Sequence, residues 1–249
     1  MLDVMFSIIT VCYNAADNLR KTLASVERQT FGDYEHIIID GSSTDSTAEL
    51  LKTAADDSRR VIVSESDKGI YDAMNKGLGR AKGEYLIFMN AGDIFAGDDT
   101  LNVYTDVITE HNHPGIVYGQ TLLVDTDGTI VGERHLKAPE HLTLDSFAQG
   151  MVVCHQAMAV SRRIAPLYDT RWRFSADYEW VVKCLQKSHS NVYTGQVMCH
   201  YLSEGTTTAN RKASLVERFR IMSRYYGFVP TVLRHFKFAL RFIRSKRIT

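Results

Sequence analysis

Four short apolar runs, each followed by a stretch of helical period or by a turn, fill the first hundred residues, and that alternation leaves few architectures open. Phe6 to Cys12 is apolar and β-branched and ends at Tyr13 and Asn14; Leu19, Leu23 and Val26 then recur at helical spacing from about Asp17 to Gln29. His36 to Ile39 is a second strand closed by Asp40, and Gly41-Ser42-Ser43-Thr44-Asp45 leads into a helix near Ser46. Val61 to Val63 is a third strand. Asp67-Lys68-Gly69 opens a helix whose apolar face is Ile70, Ala73, Met74, Gly77 and Leu78, and Gly83 returns the chain to a fourth strand, Leu86 to Met89. Asn90, Gly92 and Asp93 stop that strand, because they favour a turn. A β-α-β-α-β-α-β chain predicts an α/β fold with a Rossmann-like, mostly parallel sheet and right-handed crossovers.

If the strands lie in the order three, two, one, four, then Asn14, Asp40 and Asp93 converge from three loops. They meet at the carboxyl edge of the sheet, where open α/β folds bind ligands. Each alone fits a cap or a turn former equally well, and the convergence is what argues for a site. The turn Tyr13-Asn14-Ala15-Ala16-Asp17 carries no Gly-x-Gly-x-x-Gly, so a dinucleotide cofactor is not expected; no P-loop, Gly-x-Ser-x-Gly or His-Glu-x-x-His is present either. With one carboxylate at Asp40 and another at Asp93, the chemistry that fits is a nucleoside held by Asp40 and a diphosphate neutralised by a divalent metal at Asp93.

Ser7-Ile-Ile-Thr-Val-Cys-Tyr-Asn14, Ile38-Ile-Asp-Gly-Ser-Ser-Thr-Asp-Ser-Thr47, Asp67-Lys-Gly-Ile-Tyr-Asp-Ala-Met-Asn-Lys-Gly77 and Phe88-Met-Asn-Ala-Gly-Asp93 resemble the successive motifs of family 2 glycosyltransferases with a GT-A fold. The third is similar to that of colanic-acid-type exopolysaccharide transferases. The resemblance implies transfer of a sugar from a nucleotide donor, UDP- or GDP-linked, with inversion at the anomeric carbon and with Mg²⁺ or Mn²⁺. It implies that Thr10, Tyr13 and Asn14 line the base pocket, that Asp40 holds the base, and that Asp67, Asn90 and Ala91 contact the nucleotide. It implies Asp93 as the metal ligand. The family's Asp-x-Asp-Asp reads Asn90-Ala91-Gly92-Asp93 here, so a single carboxylate survives. A lone carboxylate holds Mg²⁺ weakly, which implies that the metal arrives with the nucleotide; metal independence stays open.

The second half, residues 101–210, is less regular and is expected to build the acceptor side. Val117-Tyr-Gly119 reads as one strand, and Leu122 to Val124 with Thr129 to Val131 reads as a hairpin turning at Asp125-Thr-Asp-Gly128. Met151-Val-Val-Cys-His-Gln156 reads as an apolar strand. Its His155 and Gln156 resemble a segment that flanks the acceptor site, the alternative being satisfied polar groups inside a strand. Asp177, at the start of a helix beginning near Ser175, fits a cap. The resemblance aligns it with the family's catalytic base, with Ala176 in place of the preceding Glu. Glu204-Gly-Thr-Thr-Thr208 resembles the segment that closes over the diphosphate, with His200 before it as a candidate metal or diphosphate contact or an ordinary histidine.

Charge sets off the C-terminus. The chain is formally neutral, yet residues 211–249 hold eleven Lys or Arg against one acid, Glu217, so they carry about +10 and residues 1–210 about −10. Arg234, Lys237 and Arg241 share one helical face, and Val232, Phe236, Ala239, Leu240 and Ile243 the other. Such a basic amphipathic tail suits an anionic membrane surface, whereas the acidic body and the lack of a reader motif argue against nucleic acid. The four cysteines are far apart and suit reduced thiols, no run reaches membrane-span length, and no basic n-region of a signal peptide precedes residue 4. The expectation is a cytoplasmic enzyme, peripheral on the inner face of the membrane, adding one sugar to a lipid-linked glycan. The domain would be residues 1–210, with nucleotide binding in 1–100, followed by the tail at 211–249. The alternatives are a binding module without turnover and, less favoured, a sugar nucleotidyltransferase.

Overall fold

The structure, a computed structural model, describes residues 4–203 and 210–245. Glu204 to Thr208 lies outside the described residues, and so do the side chains of the tail beyond Phe236, including those of Lys237 and Arg241.

Strands β1 (Phe6–Cys12), β2 (Tyr34–Asp40), β3 (Arg60–Ser64) and β4 (Tyr85–Phe88) are parallel, as the alternation predicted, and lie in the order β3-β2-β1-β4. Cys12 pairs with Asp40, and Asp40 with Ser64, so three of the strands end level along one edge. Successive side chains point to opposite faces. Ile9, Val11, Ile37 and Ile39 pack with Tyr71, Ala73 and Met74 of helix α3 (Ile70–Leu78). Cys12 and Ile38 pack with Leu19, Leu23 and Leu51 of α1 (Ala16–Glu27) and α2 (Thr47–Ala54) on the other face. The buried face of α3 differs by one position from the expected one. Tyr71 is buried and Ile70 is exposed, because the tyrosine is turned into the molecule toward Asp177.

The second half continues the same sheet. Its elements are β5 (Ile94–Phe95), α4 (Thr100–Glu110), β6 (Ile116–Val124), β7 (Ile130–Glu133), α5 (Leu144–Phe147), a 3₁₀ turn at His155–Ala157, β8 (Met158–Ser161), α6 (Ala176–Lys187) and β9 (Asn191–Leu202). The full order is β3-β2-β1-β4-β8-β6-β9-β5, with β7 on β6. The pairings make β1 to β4, β6 and β9 run one way and β5, β7 and β8 the other, so the nine-stranded sheet is mostly parallel. The Asp125–Gly128 hairpin is present, but the two runs before it form one strand, β6, whose register against β9 shifts around Gln120. Met151 to Cys154 is not a strand. The segment is apolar because it is buried, and it leads into the 3₁₀ turn, which the Ala157 N–H closes onto the Cys154 carbonyl.

The basic tail forms α7 (Arg211–Tyr226) and α8 (Phe228–Ser245). Helix α7 packs on the domain rather than standing apart from it. Ile221 and Met222 join the main core, and Glu217, the tail's one acid, accepts the N–H groups of Arg173 (2.9 Å) and Phe174 (2.8 Å). The domain's packed core therefore continues past residue 210.

Candidate active site

The carboxyl ends of β1 and β4 open onto a cavity of about 550 Å³, within the range of small-molecule sites. Asp93 reaches it from the turn after β4. It is 3% exposed; its Oδ1 accepts the Leu202 N–H (3.2 Å) and its Oδ2 accepts Gln156 Nε2–H (3.0 Å). Burial pushes its carboxyl up to about 7, against the opposing hydrogen bonds from Leu202, Gln156 and Asn90.

Asp177 enters from the first turn of α6. Tyr71 O–H donates to its Oδ1 (3.1 Å), and His155 Nδ1 stands 3.8 Å from its Oδ2. Burial holds the His155 ring below the ordinary histidine range although Asp177 pulls the other way, so the imidazole is neutral. Burial likewise raises the Tyr71 phenol well above its usual range and keeps it a donor. Adjacent residues of one 3₁₀ turn thus address the two carboxylates, His155 facing Asp177 and Gln156 holding Asp93.

Tyr13, Asp67, Asn90 and Ala91 also line the cavity. Tyr13 and Asp67 crowd Gly41, where a Cβ would stand 2.5 Å from Asp67 Oδ2 and 3.3 Å from Tyr13 Cδ2. Four expected residues lie elsewhere. Thr10 is fully buried, and its hydroxyl meets His36 Nε2 at 2.9 Å. Strand alternation puts Val11 on the cavity side and Thr10 on the other. Asp40 is also fully buried behind the wall, where it accepts the Ser43 N–H (3.1 Å) and the hydroxyls of Ser43 and Ser64. Asn14, at φ 48°, accepts the Thr44 N–H and donates its own N–H to Ser43 Oγ, so it ties two loops together outside the cavity lining. His200 belongs to a separate hollow with Gly97, Thr100 and Gln196, while its neighbour Tyr201 lines the cavity.

Tyr71, Tyr201, Arg134 and Arg218 line the cavity without having been singled out. Tyr71 lies inside the Asp67 to Gly77 motif and was within reach of sequence reasoning. Arg218 is one of many tail cations and carries no local signal.

The fit of a divalent metal can be tested on oxygen donors. Asp93 keeps lone pairs on both oxygens, and Asn90 Oδ1 is buried without a hydrogen-bond partner. Two hard oxygens from one turn suit Mg²⁺ or Mn²⁺ when a ligand completes the shell. Among the described residues no group of three His, Cys, Asp or Glu could hold an ion unaided.

A parallel β3-β2-β1-β4 core extended by a mixed half, with carboxylates from both halves in one cavity, agrees with the GT-A fold that the motifs resemble. The family model described as Glycosyl transferase family 2 matches residues 7–165, and the chain belongs to that family. A PGL/p-HBAD biosynthesis glycosyltransferase of Mycobacterium bovis is 35% identical over 190 residues, which cover 74% of this chain and 71% of that protein. Among solved structures, S. aureus TarS 1-349 in complex with UDP-GlcNAc superposes with a TM-score of 0.69 at 18% identity, covering 94% of this chain and 73% of that 1-349 chain. The mannosyltransferase PcManGT from Pyrobaculum calidifontis, in complex with GDP-Man and Mn²⁺, gives 0.66 at 18% identity, covering 93% and 69%. The chain is a glycosyltransferase.

Proposed function

We propose that the chain moves one sugar from a UDP- or GDP-sugar to a hydroxyl of a lipid-linked glycan by single displacement with inversion, Asp177 being the base. The observation that carries this reading is the presence of Asp93 and Asp177 in one cavity, with Gln156 donating to Asp93 and the adjacent His155 standing 3.8 Å from Asp177. Tyr71 orients the Asp177 carboxylate through Oδ1, and its remaining lone pairs take the proton as the acceptor hydroxyl attacks the anomeric carbon. The nucleotide lies along Tyr13, Asp67 and Ala91. Thr10, Asn14 and Asp40 then act by holding the loops behind it. A divalent ion, when held by Asp93 and Asn90, supplies positive charge for the diphosphate leaving group.

The lipid-linked acceptor is supported by α8. Phe228, Val229, Val232, Leu233 and Phe236 are exposed at alternating spacings of one and three, a solvent-facing apolar stripe on a helix rich in cations. Such a helix lies on an anionic surface, each cation near it adding about 1 kcal/mol. No helix among the described residues is long and apolar enough to cross a membrane. In this reading the enzyme is peripheral on the inner face, where it meets its acceptor.

Asp177→Asn tests the chemistry. We expect turnover to fall by about 10² to 10⁴ while nucleotide affinity is kept; an active variant removes Asp177 from the role of base, and a wild type that binds the nucleotide sugar without turnover is a binding module. Flotation with phosphatidylserine vesicles tests the surface. The full chain should float and a chain ending at Gly227 should not; equal flotation of both would assign the contact elsewhere.

A further inference from the structure

Arg134 and Arg218 are the two cations that line the cavity. Arg134 follows β7, and its Nη2–H donates to the Met151 carbonyl at 2.8 Å. Arg218 comes from α7 and lies over the Tyr178 ring, 5.7 Å from its centroid, with its Nε–H buried and without a hydrogen-bond partner. Among the described residues no ion pair joins either guanidinium to a carboxylate, although Asp67, Asp93 and Asp177 line the same cavity. A guanidinium offers five donors in a rigid fork that matches phosphate and carboxylate oxygens. Donors left without acceptors at a cavity wall are costly until a ligand supplies them.

Their placement says which ligand. Both come from the second half of the chain: Arg218 lies over the ring of Tyr178, the residue after Asp177 on α6, and Arg134 is tied to the Met151 carbonyl in the segment leading into the 3₁₀ turn of His155, which faces Asp177. The nucleotide side of the cavity is built by Tyr13, Asp67 and the Asn90 to Asp93 turn. We propose that Arg134 and Arg218 form an anion subsite for the acceptor, which therefore carries a phosphate ester or a uronic acid carboxylate close to the hydroxyl that is glycosylated. The assignment rests on Asp177 as the base, since it is Asp177 that marks the acceptor's side.

The experiment is calorimetric titration of inorganic phosphate, and separately of glucuronate, into the full chain, both free of nucleotide and saturated with UDP or GDP. We expect one of the two anions to bind in both states. Arg134→Gln or Arg218→Gln should weaken that binding about tenfold or more while nucleotide affinity changes less than about threefold, which also reports an intact fold. The anion that binds names the class, phosphate or carboxylate. Binding that saturating nucleotide abolishes would place the arginines on the donor's diphosphate and overturn the proposal, as would no binding of either anion to the nucleotide-free protein. The nucleotide-free arm reads the subsite even if neither nucleotide binds, so failure of the donor reading is told apart from failure of this one.

Discussion

Replacing His36 by Gln tests the reassignment of Thr10 from nucleotide contact to buried support. His36 is 1% exposed in β2, its Nε2 meets the Thr10 hydroxyl, and burial, helped by the nearby Arg60 and Arg59, lowers its pKa from 6.5 to about 3. The folded protein holds the ring neutral, whereas the unfolded chain takes up a proton below 6.5. Stability from this group is therefore fully present above that value and is lost as pH falls toward 3. One pKa unit corresponds to about 1.4 kcal/mol, so between pH 8 and pH 5 the wild type should lose about 2 kcal/mol to His36 alone. A Gln side chain places an amide oxygen near the position of Nε2 and does not titrate. Urea denaturation of both proteins at pH 8 and pH 5 isolates the term, because every other titrating group is shared. The variant's deficit at pH 8 should shrink by about 2 kcal/mol at pH 5, or by about 4 to 8 °C in Tm. Parallel stability curves would mean that water reaches His36, and with it that Thr10 is open to a ligand.

Tyr71→Phe removes the donor to Asp177 and leaves the ring stacked on Tyr168, so kcat should drop about tenfold with KM for the donor and Tm little changed; a wild-type kcat would show that Asp177 needs no orienting partner. Gly83→Ala places a Cβ 2.4 Å from the Ser7 backbone nitrogen and 2.5 Å from the Phe6 carbonyl carbon, so urea denaturation should show a loss of about 2 kcal/mol or more; an unchanged midpoint would mean that the edge between β1 and β4 yields freely.

The parallel half was legible because each of its elements is specified locally. Strands such as Ile37 to Ile39 are apolar on both faces because helices cover both, and Leu19, Leu23 and Val26 mark the face that covers one of them. The second half was less so. Met151 to Cys154 is apolar through burial alone, and β6 reads as two strands because its register shift carries no sequence mark.

For the site, the sequence by itself determined which carboxylates exist and which strand ends carry them, since Asp93 stands just past β4 wherever that strand goes. Only the tertiary structure decided which side chains share the cavity. Thr10 and Val11 are neighbours in sequence, and the pleat sends one to His36 and the other to the site; the same alternation separates His200 from Tyr201. Asp40 matches its motif yet is enclosed by Ser43 and Ser64, which a motif cannot reveal. The contacts between Tyr71 and Asp177 and between Gln156 and Asp93 span 106 and 63 residues, and Arg218 arrives from the segment that reads as a basic amphipathic tail. Local propensity acts over a few residues, whereas long-range meetings are set by how the layers pack; the sequence therefore named the strands and their ends, and packing chose the site.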